Sequence, residues 1–244
     1  MEIRRPFRIV LTVTAALALS ACGSLVPAGS SAAGADSRTG TGPSYTPAPG
    51  RIASAPQNPV PRSSDQSCVA DLSAAGARFT PLPDRYTGRG CSTLGSVELS
   101  ALSGDASQFS ISNLGPVQCR VASVFGQWAR FGVDRAARQI LGSPLSRIET
   151  MGSYSCRTVA GSSRLSAHAT AEAIDVSGFV LEDGRRITLS AHWDHGSDAE
   201  REFLRVVHRS ACRRFGTVLG PDYNRAHEDH FHLEKAAEGS GFCR

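Results

Sequence analysis

Apolar positions along this chain follow different rhythms in different places. Val121, Val124, Phe125, Trp128, Ala129 and Phe131 recur at three- and four-residue steps, which predicts an amphipathic helix over Pro116 to Leu141. Pro116 suits its first turn and Gly142 its C-cap. A second helix is predicted over Ser197 to Phe215, with Asp198 and Glu200 in its first turn and Gly216 after its end. Ile148 to Val159 and Ala173 to Val180 read as strands, and Glu182-Asp183-Gly184 as a turn into Arg186 to Leu189. A last strand covers Phe231 to Leu233, while residues 70–112 read as short and irregular, with turns at Pro81–Asp84 and Gly88–Gly90. The predicted class is α+β, a small antiparallel sheet with helices packed on it.

The N-terminal pattern is of another kind. A basic start with Arg4, Arg5 and Arg8 leads into an apolar stretch from Ile9 to Leu19 and then small residues before Cys22. That is the form of a secretory signal, residues 1–21, and it is shorter than the roughly 18 apolar residues of a membrane span. Leu19-Ser20-Ala21-Cys22 resembles the bacterial lipobox, which implies cleavage before Cys22 and a lipid anchor on it. Gly23-Ser24, with no Asp after the cysteine, implies sorting to the outer membrane, facing the periplasm. Between Gly23 and Ser64, 31 of 42 residues are Gly, Pro, Ser, Ala or Thr, with no hydrophobic period. Residues 22–64 are therefore expected to form a tether, with a root-mean-square reach of roughly 35–40 Å.

Composition then narrows the partners. The net charge of +4 falls by two when the leader is removed, which argues against a nucleic-acid binder. The lipid anchor uses the odd cysteine of seven. Cys68, Cys91, Cys119, Cys156, Cys212 and Cys243 remain, expected as three disulfides in one folded unit over 65–244, with pairing open. No CxxC pair is present, so a cysteine zinc cluster is disfavoured. A monomer is the default expectation.

The candidate chemistry lies in two segments, Ser166-Ala-His168-Ala-Thr-Ala171-Glu-Ala173-Ile-Asp175 and His227-Glu-Asp229-His230-Phe-His232. Small residues around His168 allow a tight turn, and Asp175 opens an apolar strand where an unpaired carboxylate is costly. On a strand, His230 and His232 project to one face. Either segment alone is weak; an HxH pair is often plain surface polarity, and a His–Asp pair a simple hydrogen bond. Together they offer the histidine and carboxylate ligands that a catalytic zinc site uses. His192-Trp193-Asp194-His195 lacks an obvious third ligand, and Trp193 is expected at the sheet edge. His208 and the arginines of the second helix read as helix-face residues.

Ser166-x-His168-x2-Ala171-x-Ala173-x-Asp175 resembles the SxHxxGxAxD motif of LAS-type zinc peptidases, with Ala171 where those enzymes usually carry Gly. That group includes the D-Ala-D-Ala dipeptidases and carboxypeptidases and the penicillin-insensitive murein endopeptidase. The whole stretch from Cys68 to Cys243 resembles the bacterial extensin-like C-terminal domain family. The matching residues are Tyr154-Ser-Cys156-Arg157, Leu165-Ser-x-His-Ala, Ala173-Ile-Asp175-Val and Val218-Leu-Gly-Pro-Asp222-Tyr-Asn224-x2-His227. The resemblance implies one zinc ion per chain, held by His168, Asp175 and His232. His230 is then the first choice of general base and Asp229 the alternative, while His227 orients either group or holds an oxyanion. Arg157, on a predicted strand, is expected at the substrate's carbonyl or carboxylate, or else in a salt bridge of the fold. Ser166 is expected to cap the turn rather than act as a nucleophile; no GxSxG surrounds it. The expected function is that of a lipid-anchored zinc peptidase acting on stem or crosslink peptides of peptidoglycan. The alternative is a wall-binding or scaffolding lipoprotein that keeps the fold without turnover.

Overall fold

The computed structural model describes residues 63–244. The predicted signal segment, Cys22 and nearly all of the predicted tether lie outside the described residues. Helix α1 (Ser63–Ala74) opens the described chain. Strands β1 (Arg78–Pro81), β2 (Tyr86–Gly88), β3 (Cys91–Ser92), β4 (Ser96–Ser103), β5 (Gln108–Ser112) and β6 (Pro116–Gln118) follow. Then come α2 (Cys119–Trp128), β7 (Leu145–Gly152), β8 (Ala173–Leu181), β9 (Arg186–Thr188), the single turn α3 (Leu189–His192) and α4 (Asp198–Cys212). Strands β10 (Phe215–Leu219), β11 (Phe231–Ala236) and β12 (Phe242–Cys243) finish the chain. The α+β class is as expected. The sheet is larger than expected: ten strands, with the path β1-β4-β5-β7-β8-β11-β10-β12. Most pairings are antiparallel, and β5/β7 and β10/β12 are parallel.

Residues 70–112, read as irregular, form much of the sheet's first half. The alternation there is clear in β4, where Val97 and Leu99 are buried and Glu98 and Ser100 exposed. The first predicted helix starts three residues late. Pro116–Gln118 instead add a short strand beside β4, a place that tolerates a residue without an N–H. From α2 the helical path continues to Leu141 through two wider π-type turns, Ala129–Asp134 and Ala137–Leu141, and ends on Gly142 at φ +72°. Gly132 lets this helix cross α4 closely, because a Cβ there would lie 2.3 Å from Ser210 Oγ. Helix α4 carries a capping box, Ser197 with Glu200. It stops at Cys212, so Phe215 and Gly216, read as helix end and cap, belong to β10.

Trp128, Phe125, Phe179, Phe203 and Phe215 are fully buried and form the centre of the core between helices and sheet. Trp128 Nε1 donates to the Val207 carbonyl at 3.1 Å, so this buried ring keeps a partner for its N–H. Three disulfides fasten elements to one another: Cys68–Cys119 joins α1 to α2, Cys91–Cys156 joins β3 to the loop after β7, and Cys212–Cys243 joins the end of α4 to β12. No described helix is long and apolar enough to cross a membrane.

Candidate metal centre

Strand β7 ends at Gly152, whose φ of +112° turns the chain, so Arg157 lies in an exposed loop rather than on the predicted strand. That loop runs under the His168 turn. Ser155 N donates to the His168 carbonyl at 3.0 Å, and Ser166 N to the Arg157 carbonyl at 3.1 Å. The turn itself, Ala167–Thr170, is a 3₁₀ helix started by the buried Ser166, whose Oγ accepts from His168 N at 3.3 Å. It is closed by Ala171 in the left-handed region at φ +57°, with no exposed surface. Alanine adopts this conformation at some cost, since only glycine takes it without strain. Strand β8 starts two residues later, and its register sets Asp175 opposite His232 on β11. Phe231 and Leu233 point into the core, so His230, His232 and Glu234 share the other face.

His168, Asp175 and His232 thus converge from three parts of the chain. His168 Nε2 lies 3.1 Å from Asp175 Oδ2 and 3.2 Å from His232 Nδ1, and His232 Nδ1 lies 2.9 Å from Asp175 Oδ1. Three ligand atoms about 2.0–2.1 Å from one tetrahedral ion stand about 3.3 Å apart, close to this arrangement. The donor chemistry agrees with the spacing. His168 Nδ1 donates to the Ser153 carbonyl at 2.5 Å, so the Nε2 of a neutral ring aims a lone pair at the Asp175 carboxylate. Two facing acceptors in a nearly dry site call for a cation or an extra proton between them.

The electrostatics follow from the same contacts. Burial alone would raise Asp175, but the His168 and His232 rings facing it outweigh that effect and hold the carboxyl well below its usual range. Burial likewise opposes charge on His232, yet bonds to Asp175 and Glu234 raise it to about 9. His227 is pushed down to about 4, by burial first and then by His230, His232 and the more distant Arg157.

The other predicted residues take positions around this cluster. His230 Nε2 is 3.7 Å from Asp175 Oδ1, and its Nδ1 is held by Asp229 Oδ1 at 2.8 Å. Asp229 itself is half-exposed and meets the cluster through that ring. His227 sits at the rim, its Nδ1 bonded to Asn224 Oδ1 at 2.7 Å and its ring centre 5.9 Å from that of His232. Arg157 is exposed and forms no ion pair among the described residues, so the salt-bridge reading of it does not hold there. His192 is separate from the cluster, bonded to Thr188 at the start of α3. Trp193 is buried beneath Arg205 and donates to Asp222. His208 stacks on Phe231, and burial lowers its pKa. With Cys212 and Cys243 it forms a second group within metal reach, but those two sulfurs are bonded to each other.

Two contributors escaped the sequence reading. Glu234 Oε2 lies 3.4 Å from His232 Nε2, and strand alternation from His232 was the signal that could have found it. The Ser153 carbonyl left no such signal, because any residue type supplies one.

Fold and site together define a disulfide-stapled α+β domain carrying a buried His-Asp-His cluster at the junction of two central strands. The family model for the extensin-like protein C-terminus matches residues 66–244, and the chain belongs to that family. No curated protein and no solved structure gives a significant match.

Proposed function

We propose that this chain is an exported, lipid-anchored zinc peptidase of the bacterial envelope, held by Cys22 in the outer membrane and acting on stem or crosslink peptides of peptidoglycan. The observation that carries the reading is the convergence of His168, Asp175 and His232 at 2.9–3.2 Å, with a fourth side chain, His230, oriented beside them. The resemblance of residues 166–175 to the LAS-type motif supports the same reaction class. One zinc ion fits the three ligands, and when bound it supplies Lewis-acid polarisation of a carbonyl and acidifies water.

The chain's own groups divide the remaining work. Asp229 keeps the Nδ1 proton of His230 in place, so His230 Nε2 presents a lone pair to the cluster and takes the proton of the attacking water. The same ring then returns that proton to the leaving amine. Arg157, exposed and without an ion pair among the described residues, receives a peptide carboxylate or the developing oxyanion through its planar fork. Ser166 is occupied in capping the turn, so attack is by water and no acyl-enzyme forms. The tether lets the domain leave the membrane surface and reach the wall.

The test is digestion of purified peptidoglycan sacculi by the zinc-loaded protein, with Asp175→Ala in parallel. Muropeptide release by wild type alone is the expected result. Zinc binding and wall binding without release would replace this reading with the non-catalytic wall-binding lipoprotein. Absence of zinc binding would overturn the metal centre itself.

A further inference from the structure

We infer that Glu234 is a positioning residue for the metal centre, holding His232 so that Nδ1 rather than Nε2 is the atom given to the metal. The inference rests on the metal-centre reading above and deepens it.

An imidazole hung from a strand can turn over about its Cβ–Cγ bond, which exchanges Nδ1 with a carbon and alters which nitrogen meets a ligand. In this site the ring has one orientation. Nδ1 faces Asp175 Oδ1 at 2.9 Å and His168 Nε2 at 3.2 Å, while Nε2 faces Glu234 Oε2 at 3.4 Å on the far side. Turning the ring over would direct a carbon at Asp175 and take Nε2 away from Glu234. The carboxylate at position 234 thus favours the proton on Nε2 and the lone pair on Nδ1. Its placement follows from the pleat: residue 234 is two after His232 on β11, and it lies opposite Ala173, a side chain too small to compete for the space.

Glu234 also lines a polar cavity of about 390 Å³, together with Gln118, Arg120, Glu172 and Lys235. Its other oxygen, Oε1, is 3.9 Å from Lys235 Nζ, a longer contact to a half-exposed side chain. An apolar side chain at 234 would leave Nε2 with only water as acceptor. The expected result is a weakened metal site rather than an abolished one.

Two measurements on the purified protein test this. In the cadmium-loaded wild type, scalar coupling between cadmium and the ring nitrogens of His232 reports which nitrogen binds, and coupling to Nδ1 with a proton on Nε2 is expected. Zinc affinity is then compared across wild type, Glu234→Gln and Glu234→Leu, with folding checked by far-UV circular dichroism. The amide oxygen of Gln can still accept from Nε2, so its affinity stays within about threefold, whereas Leu loses about 10–100-fold. Cadmium on His232 Nε2 in the wild type would overturn the inference, whatever the variants do. So would a folded Glu234→Leu protein with wild-type affinity. Wild-type protein that binds neither ion overturns the metal-centre reading beneath it, an outcome distinct from the other two.

Discussion

Removing the Cys91–Cys156 disulfide is expected to loosen the metal centre as well as the fold, whereas removing Cys212–Cys243 loosens the fold alone. The two bridges close loops of 65 and 31 residues. Loop-closure entropy depends on length only logarithmically, so each is worth about 4 kcal/mol, or roughly 10 °C in Tm for a domain of this size. What differs is the attachment. Cys156 lies three residues after Ser153, whose carbonyl accepts the His168 Nδ1 proton, and one before Arg157. Cys212 and Cys243 join the end of α4 to the last strand. The double variants Cys91→Ala/Cys156→Ala and Cys212→Ala/Cys243→Ala are compared by thermal unfolding and by zinc titration against a chromophoric chelator. Similar Tm losses are expected, with zinc affinity falling about tenfold or more only in the first, the usual size of a lost outer-shell contact. Equal zinc affinity in the two variants would refute the link from disulfide to ligand. A Tm change below about 3 °C in both would refute the entropic reasoning.

Three further predictions concern the site. His168→Ala and His232→Ala should each lose zinc while far-UV circular dichroism stays native; full zinc stoichiometry in either would show the ligand set to be wrong. His230→Ala should keep zinc and lose peptidoglycan hydrolysis by about 10²–10⁴-fold, and an unchanged rate would transfer the base to Asp229. The third follows from the pKa of His232, which contacts with Asp175 and Glu234 raise from 6.5 to about 9 against the opposing effect of burial. A raised folded-state pKa contributes stability that is complete below 6.5 and lost as pH climbs through 9. The Tm of the metal-free protein should therefore fall between pH 7 and 9, and His232→Gln should flatten that slope; equal slopes in the two proteins would contradict the assignment.

Residues 166–175 and 227–232 were legible as two segments of candidate chemistry because a tight turn and an alternating strand are local patterns. Such patterns state which side chains share a face. The α+β class, both long helices, the Gly142 stop and strands β8 and β11 could be read for the same reason. Other elements depended on neighbours distant in the chain. Pro116–Gln118 are a strand because β4 is there to pair with, and Phe215 leaves the α4 path because β11 offers it an edge. The early strands β1, β2, β3 and β5 are only two to five residues long and interleaved with turns, so no alternation of useful length marks them. Within the site, spacing alone left open whether Arg157 was bound in a salt bridge and what held each histidine ring. The fold decided both, by turning the chain at Gly152 and bringing the Ser153 carbonyl under His168. Sequence thus determined which chemical groups exist, on which local faces, and that six cysteines can pair. Only tertiary structure chose the three pairs, set Asp175 across from His232, and brought the Ser153 carbonyl to His168. Register, packing and hydrogen-bond direction between remote segments are properties of contact, and contact is settled when the whole core closes.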